Sequence, residues 1–517
     1  MFSPLPAHFY PNWTALFLSL TGVIVLFLLE SHVGLSLWDE GYLWYGAQRV
    51  MLGEVPIRDF MAYDIGRYYW SAAWMSVWGG KGIVALRFAI AIFQIIALYI
   101  GLAALARTTT RQSFWFWLFA TLVLLTWFAP QFRSFDIALP IILVGTLSFL
   151  IEQPTVRRYF LTGVVLGVVA IFGRNHGVYG VAATLGVMAY LSIRHEGGIN
   201  LLTSARYGLL GIVVGYLPML LFLVAVPDFA LAFWDSIRVL FEAGATNFPL
   251  PIPWPWLVPV GEISAMETLR GVLLGTLFIT IVAFGLLGIV WAIRKKLKGE
   301  PIPSTLIATI FLTLPYAHYA YSRADIEHFS VSAPPLLLGV LVWLTMWPVK
   351  FKWPLSLLFF ATSLVVMLPG HYLWNCYAVN KCVEVQILGD RLKVDLKMAS
   401  NFMTLTKLSE QFAPEERTFM AVPTWPGAYA LFEKKSPMWG IFLLLTPPSI
   451  ADQQAEIERI KIADPGFVLI DDLKLNGRDE MRFRNTHPLV DQYIRDNFVP
   501  LNLGNPTIRV YKSKLAE

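Results

Sequence analysis

Charge is scarce in this sequence, and the scarcity is uneven. Asp, Glu, Lys and Arg make up 15% of 517 residues, against about a quarter in an ordinary soluble protein. Long apolar runs dominate residues 1–370, whereas residues 372–517 read like a soluble sequence. That excludes a string of soluble domains. One membrane domain, residues 1–370, and one extramembrane domain, residues 371–517, are expected. A basic tract is also lacking. The 40 Lys and Arg against 35 Asp and Glu give only +5, which in a membrane protein reflects topology-setting loops rather than a nucleic-acid surface. No Gly-rich loop follows a predicted strand, which argues against nucleotide binding. The apolar run Leu16 to Leu29 follows no Lys or Arg and ends at Glu30 without a small-x-small site. A retained first helix is expected rather than a removable signal peptide. Cysteine is nearly absent: Cys376 and Cys382, with five residues between them, could form a disulfide in an oxidising compartment or stand as two free thiols.

What is present is a series of apolar stretches near the roughly 20 residues that a spanning helix needs. Eleven spans are predicted, at about 13–30, 83–106, 113–129, 136–151, 159–172, 177–193, 207–226, 268–293, 304–320, 330–347 and 353–370. The fifth and sixth are separated only by Gly173-Arg174-Asn175-His176, and merging them would reverse every later side. Basic residues test the count, since cytoplasmic loops are enriched in them. Arg107, Arg111, Arg157, Arg158, Arg194, Arg206, Arg294, Lys295, Lys296, Lys298, Lys350 and Lys352 fall in five alternate loops, and the short loops of opposite parity hold only Arg133, Arg174 and Arg323. The N-terminus is therefore expected inside and residues 372–517 outside.

The polar clusters then share the outer side. Asp39, Glu40, Asp59, Asp64 and Arg67 lie in the first outer loop. Asp136 begins the fourth span, and Arg174 and His176 form the tight turn. Arg323, Asp325, Glu327 and His328 join the ninth and tenth spans. Trp38–Val50 and Tyr68–Trp78 have the aromatic content and spacing of interfacial helices. Pro251–Trp256 shapes either a groove or an interfacial anchor. Span centres hold almost no ionisable residue, unlike those of an ion-coupled transporter. Each polar residue also has a plain reading. Asp39 and Glu40 could cap a helix, the arginines could snorkel, His328 could be a hydrogen-bonded structural residue, and Asp325 and Glu327 could merely neutralise Arg323. Together, carboxylates facing cations suit attack by a hydroxyl on a sugar carbon that carries a lipid phosphate. The hydroxyl needs a general base, and the departing phosphate needs charge stabilisation rather than a proton.

Trp38-Asp39-Glu40-Gly41-Tyr42, Gly53–Phe60 and Tyr63-Asp64-Ile65-Gly66-Arg67-Tyr68-Tyr69-Trp70 resemble the first outer loop of the GT-C glycosyltransferases. The likeness is to the bacterial branch similar to protein O-mannosyltransferases and aminoarabinose transferases. Phe467–Asp472 and His487–Ile494 resemble that branch's outer domain. The resemblance implies a mainly α polytopic fold with a C-terminal α/β domain. It implies acceptor activation by Asp39, with Glu40 beside it and Asp136 a second acidic member. It implies donor-phosphate contacts from Arg174, Arg323 and His328, with Arg67, Asp64, His176, Asp325 and Glu327 as further substrate contacts. Some relatives bind a divalent metal, but the first loop lacks the ligand spacing for one, so no metal site and no cofactor are expected. The expected partners are a polyprenyl-phosphate sugar, a hydroxyl-bearing acceptor and membrane lipids, without nucleic acid, at the outer face of a bacterial cytoplasmic membrane. Competing readings are a flippase of lipid-linked sugars, which needs a polar path across the bilayer, and a non-catalytic anchor or sensor, for which eleven spans are excessive.

Overall fold

The computed structural model describes residues 12–108, 112–193, 200–243, 248–379, 381–443, 449–502 and 507–514. Arg111 and Arg194, two of the basic loop residues above, lie outside the described residues. The chain opens with α1 (Trp13–Glu30) and two short helices of the first loop, α2 (Asp39–Met51) and α3 (Ile65–Trp78). The bundle continues through α4 (Ile83–Thr108), α5 (Phe114–Thr126), α6 (Ser134–Glu152), α7 (Val156–Phe172), α8 (Arg174–Ser192), α9 (Leu201–Gly215) and α10 (Leu217–Ala225). An amphipathic helix, α11 (Phe229–Ala243), precedes α12 (Ala265–Lys298), α13 (Ser304–Ser322), α14 (Ile326–Thr345) and α15 (Val349–Met367).

Helices occupy all eleven predicted segments, but length and apolarity single out fewer. Among the described residues, six helices are long and apolar enough to cross a membrane, and a seventh span arises if α9 and α10, bent by 53°, are taken together. The chain is thus a multi-pass helical protein, and eleven spans is a larger number than these two properties alone support.

The turn at 173–176 is a true reversal. A Cβ on Gly177 would lie 2.6 Å from the Ala170 methyl, and one on Gly180 2.4 Å from Leu166, so α8 runs back along α7. α9 then lies parallel to α7 at backbone contact: Gly163 meets the Gly208 carbonyl, and Gly211 that of Phe160. Small residues allow this approach, the usual means of joining helices in lipid. α12 has 34 residues, a Ser264–Glu267 capping box, three lysines in its last turn and Gly299 in the left-handed conformation after it, so both helix ends carry the charge their dipoles favour. At Gly275 the Pro253 carbonyl and Pro255 ring lie directly on α12. Trp254 and Trp256 stack there at 5.3 Å, and Trp254 touches Tyr321 of α13 edge-on.

All described strands follow residue 381. α16 (Tyr372–Trp374) leads into a hairpin of β1 (Cys382–Ile387) and β2 (Asp390–Asp395), turning at Leu388-Gly389 with both φ positive. Cys376 and Cys382 are disulfide-bonded, which resolves the alternative left open above. α17 (Leu396–Phe412), β3 (Met420–Val422), α18 (Pro426–Leu431), α19 (Ile450–Ala463), β4 (Phe467–Asp471), α20 (Phe483–Thr486), α21 (Pro488–Asn497), β5 (Phe498–Leu501) and β6 (Ile508–Ser513) complete the domain. The sheet order is β3-β4-β6-β5, with only β3 and β4 parallel. The short apolar runs Thr418–Val422, Phe467–Ile470 and Ile508–Tyr511 read in the sequence as strands and the amphipathic Asp452–Lys461 as a helix, and β3, β4, β6 and α19 fall on them. The hairpin, β5 and α11 have no sequence counterpart above.

This domain is fastened to the first loop. The Lys393 N–H donates to His32 and the Gly34 N–H to Lys393, while Asp390 accepts from the Val84 N–H at the start of α4. α18 lies on α2 through the close pair Gly41 and Gly427, and the Gly427 N–H donates to the Leu37 carbonyl. The Trp439 indole donates to the Ile57 carbonyl.

Candidate functional site

The loop that carries the acidic pair is built around one arginine. Arg87, in the first turns of α4, donates to the carbonyls of Ser31, Val33 and Gly34, more weakly to that of Glu30, and grips both oxygens of Glu40 at 2.8 and 2.9 Å. Both side chains of the pair are buried, 3% and 1% exposed. Glu40 therefore offers no free oxygen to a substrate and fixes the start of α2. Asp39 differs. It is half-buried, the N-cap position of α2 is Trp38, which makes no side-chain cap bond, and among the described residues the Asp39 carboxylate has no hydrogen-bond or ion-pair partner.

Four other elements bring groups to Asp39. Arg133, at the entry to α6, lies within reach of the charges of Asp39, Asp136 and Glu327 and of Tyr319 on α13. Its Nε is buried without a partner, and its guanidinium lies over the Phe132 ring. Glu327, in the first turn of α14, feels Arg133, Asp39, Asp325 and Arg323, and its carboxylate also lacks a partner among the described residues. Tyr63 stands close enough to Asp39 and Arg133 to feel both. Burial first, then the Asp39 charge, pushes its phenol up to about 12 against the opposing arginines, so it remains a donor. Tyr372 of α16 closes the ring, within reach of Glu40, Asp39 and Glu327.

Beside this centre, Asp325 caps α14 by accepting from the His328 N–H at 2.8 Å, binds His328 Nδ1 at 2.7 Å and pairs with Arg323 at 2.7 Å. Burial works to raise its pKa, but His328 and Arg323 hold it at about 2. His328 stacks on Tyr319, and its Nε2 is buried without a partner. Behind Arg133, Arg67 of α3 binds Asp136 at 2.9 Å and the Phe172 carbonyl at 2.8 Å, and His176 joins Asp136 at 3.2 Å and Tyr316 at 2.6 Å. Those three residues form a closed buried frame.

Arg174 stands apart from the open centre. It pairs with Asp64 at 2.9 Å, donates to Ser236 Oγ and the Tyr63 carbonyl, and lies over Phe233, thereby tying α8 and α11 to the first loop. The structure thus gathers Asp39, Glu327, Arg323 and His328 near Arg133, engages Glu40, Asp136, Arg67 and His176 within the protein, and sets Arg174 and Asp64 to one side. Sequence reasoning missed Arg133 as a site residue, as well as Arg87, Tyr63 and Tyr372. Arg87 had a signal, since an arginine inside an apolar helix marks a partnered, functional position.

What results is a pair of free carboxylates opposite an unpaired guanidinium at one end of a helix bundle. Carboxylates of this kind take a proton, and the guanidinium holds an anion. No cluster of three or more metal-ligating side chains occurs among the described residues.

No family profile and no curated protein sequence matches the chain. Solved structures do. ArnT from Cupriavidus metallidurans in the apo state aligns over 97% of both chains at 13% identity with a TM-score of 0.53. The same protein bound to undecaprenyl phosphate aligns over 97% of this chain and 98% of that one, at 13% identity and a TM-score of 0.56. The Archaeoglobus fulgidus oligosaccharyltransferase in the apo form covers 98% of this chain and 75% of its own at 11% identity, with a TM-score of 0.48, too remote to weigh further. The chain shares the fold of ArnT over 97% of its length.

Proposed function

We propose that this protein is a glycosyltransferase that moves a sugar from a polyprenyl-phosphate donor to a hydroxyl acceptor. The observation that carries the reading is the meeting of the free Asp39 and Glu327 carboxylates with the unpaired Arg133 guanidinium. The shared fold with a protein solved with undecaprenyl phosphate supports it. In the proposed step Asp39 removes the acceptor hydroxyl proton. The acceptor oxygen forms a bond to the anomeric carbon as the bond from that carbon to the phosphate oxygen breaks. The electron pair leaves on the phosphate, whose charge Arg133 and Arg323 stabilise. A single displacement inverts the sugar carbon.

In this reading residues 1–370 form the membrane domain, with the N-terminus cytoplasmic, and residues 371–517 cover the site at the outer face of a bacterial cytoplasmic membrane. Glu40, Asp136, Arg67, His176, Asp64 and Arg174 hold the frame, and Asp325 sets the pose of Arg323 and His328. Purified protein in nanodiscs, given labelled polyprenyl-phosphate sugars extracted from bacterial membranes together with extracted envelope glycans, tests it. Sugar transfer that is lost with Asp39→Asn is expected; full transfer by that variant overturns the assigned base. Absence of both transfer and undecaprenyl-phosphate binding in the unmodified protein overturns the reaction.

A further inference from the structure

Tyr372 occupies an unusual place. It is the first residue of α16, on the short link between the last helix of the bundle and the β1–β2 hairpin. Its ring has little freedom. Gly34, at φ +71°, lies so close that a Cβ there would sit 2.2 Å from the ring. The Arg87 guanidinium lies over the ring at 5.6 Å. The preceding His371 is held by Glu30 at 2.7 Å and by the Thr126 carbonyl at 3.0 Å. A ring fixed this firmly directs its hydroxyl, and that hydroxyl is buried without a hydrogen-bond partner. Leaving a buried hydroxyl unpaired is costly, and native structures rarely do so without a purpose.

The surroundings state what the hydroxyl can accept as a partner. The charges it feels are those of Glu40, Asp39 and Glu327, with the Arg87 guanidinium beside it. Glu40 is already occupied by Arg87. Burial first and Glu40 second push the phenol well above its ordinary value, so it stays protonated and donates. An anionic phosphate is disfavoured on this side, between two carboxylates; its counter-charge is across the site at Arg133. A neutral alcohol fits. Its proton points to a carboxylate, and one of its lone pairs takes the phenol hydrogen.

We propose that Tyr372 donates a hydrogen bond to the acceptor's hydroxyl oxygen, orienting it against Asp39 and stabilising the negative charge that grows on it as the proton leaves. This deepens the glycosyltransferase reading and rests on it. It also gives the link to the outer domain a chemical part: the residue that presents the acceptor belongs to the segment that carries that domain.

The test compares unmodified protein, Tyr372→Phe and Asp39→Asn in nanodiscs, with the extracted polyprenyl-phosphate sugars and envelope glycans as substrates. Three quantities are read: undecaprenyl-phosphate binding by native mass spectrometry, sugar released to water, and sugar joined to the glycans. Tyr372→Phe is expected to leave undecaprenyl-phosphate binding within about twofold while release to water and joining to the glycans each fall about tenfold or more, the size of one hydrogen bond to a developing charge on the attacking oxygen. Joining that stays within about twofold overturns the role of Tyr372 and leaves the transferase reading standing. A joint fall of binding, release and joining marks a merely structural tyrosine and also overturns it. Failure of the unmodified protein to bind or transfer overturns both.

Discussion

Replacing Glu40 by Ala strands the buried Arg87 guanidinium without its counter-ion. Breaking such a pair from one side costs roughly 3–5 kcal/mol, so Glu40→Ala is expected to lower the unfolding temperature in detergent sharply. Asp39→Asn, one residue away, touches no partner. It is expected to leave that temperature nearly unchanged while lowering transfer by about 10²–10⁴-fold, the usual share of a general base. Equal losses of stability in both variants would contradict the division of labour. Arg133→Gln is expected to weaken undecaprenyl-phosphate binding by about tenfold, since a charged hydrogen bond to phosphate is lost. Unchanged affinity by native mass spectrometry would remove Arg133 from the phosphate site. Asp39 was legible in the sequence because an acidic pair ends an apolar run beside tryptophan. Its separation from Glu40 was not, since that depends on Arg87, forty-seven positions away from Glu40. Arg133 was not legible as a site residue, because a single outer-loop arginine outside the matched motifs looks the same whether it snorkels or binds a ligand.

Among the elements, the end of α1 is joined to the segment after α15 by Glu30 and His371. Burial works to lower the His371 pKa, but its bond to Glu30 wins, so it is raised above its ordinary value. A histidine raised on folding contributes stability that is complete below its unfolded value, about 6.5, and lost as pH rises through the folded value. Thermal stability is therefore expected to decline on the alkaline side of about 6.5, and His371→Gln is expected to flatten that slope. A slope unchanged in the variant would assign it to another group. Helix positions in the bundle were legible, because long apolar runs declare themselves without reference to anything distant. The β1–β2 hairpin and β5 were not: each exists through pairing with a strand that local pattern does not name. α11 was hidden inside a stretch that the hydropathy reading treats as one loop.

For the whole molecule, sidedness is the most consequential inference, and the reversal at Gly173 removes the weakest step in it. A cysteine placed at Lys461 on α19 is expected to react with a membrane-impermeant maleimide on intact cells, and one placed at Lys296 at the end of α12 only after lysis. The opposite pattern would invert the proposed orientation. That prediction rests on the alternation of basic loops, which was plain in the sequence. The assembly of the site was not, since Asp39, Arg133, Glu327 and Tyr372 come from four separate stretches and meet only when the bundle closes.

The length of α12 has a further consequence. At 34 residues and about 1.5 Å per residue it is roughly 51 Å long, against a hydrocarbon layer of about 30 Å. Its lysine end is anchored at one interface, so the excess must be taken up by tilt or by emergence at the other, where Trp254 bridges to Tyr321, two residues before Arg323. Bilayer thickness is thereby expected to be a mechanical input: a thinner membrane should tip α12 further and shift the Pro–Trp segment packed on it. In the proposed function the lipid around this protein is then expected to act on transfer not only as a solvent or a source of donor, but as a gauge whose setting reaches the site through one helix.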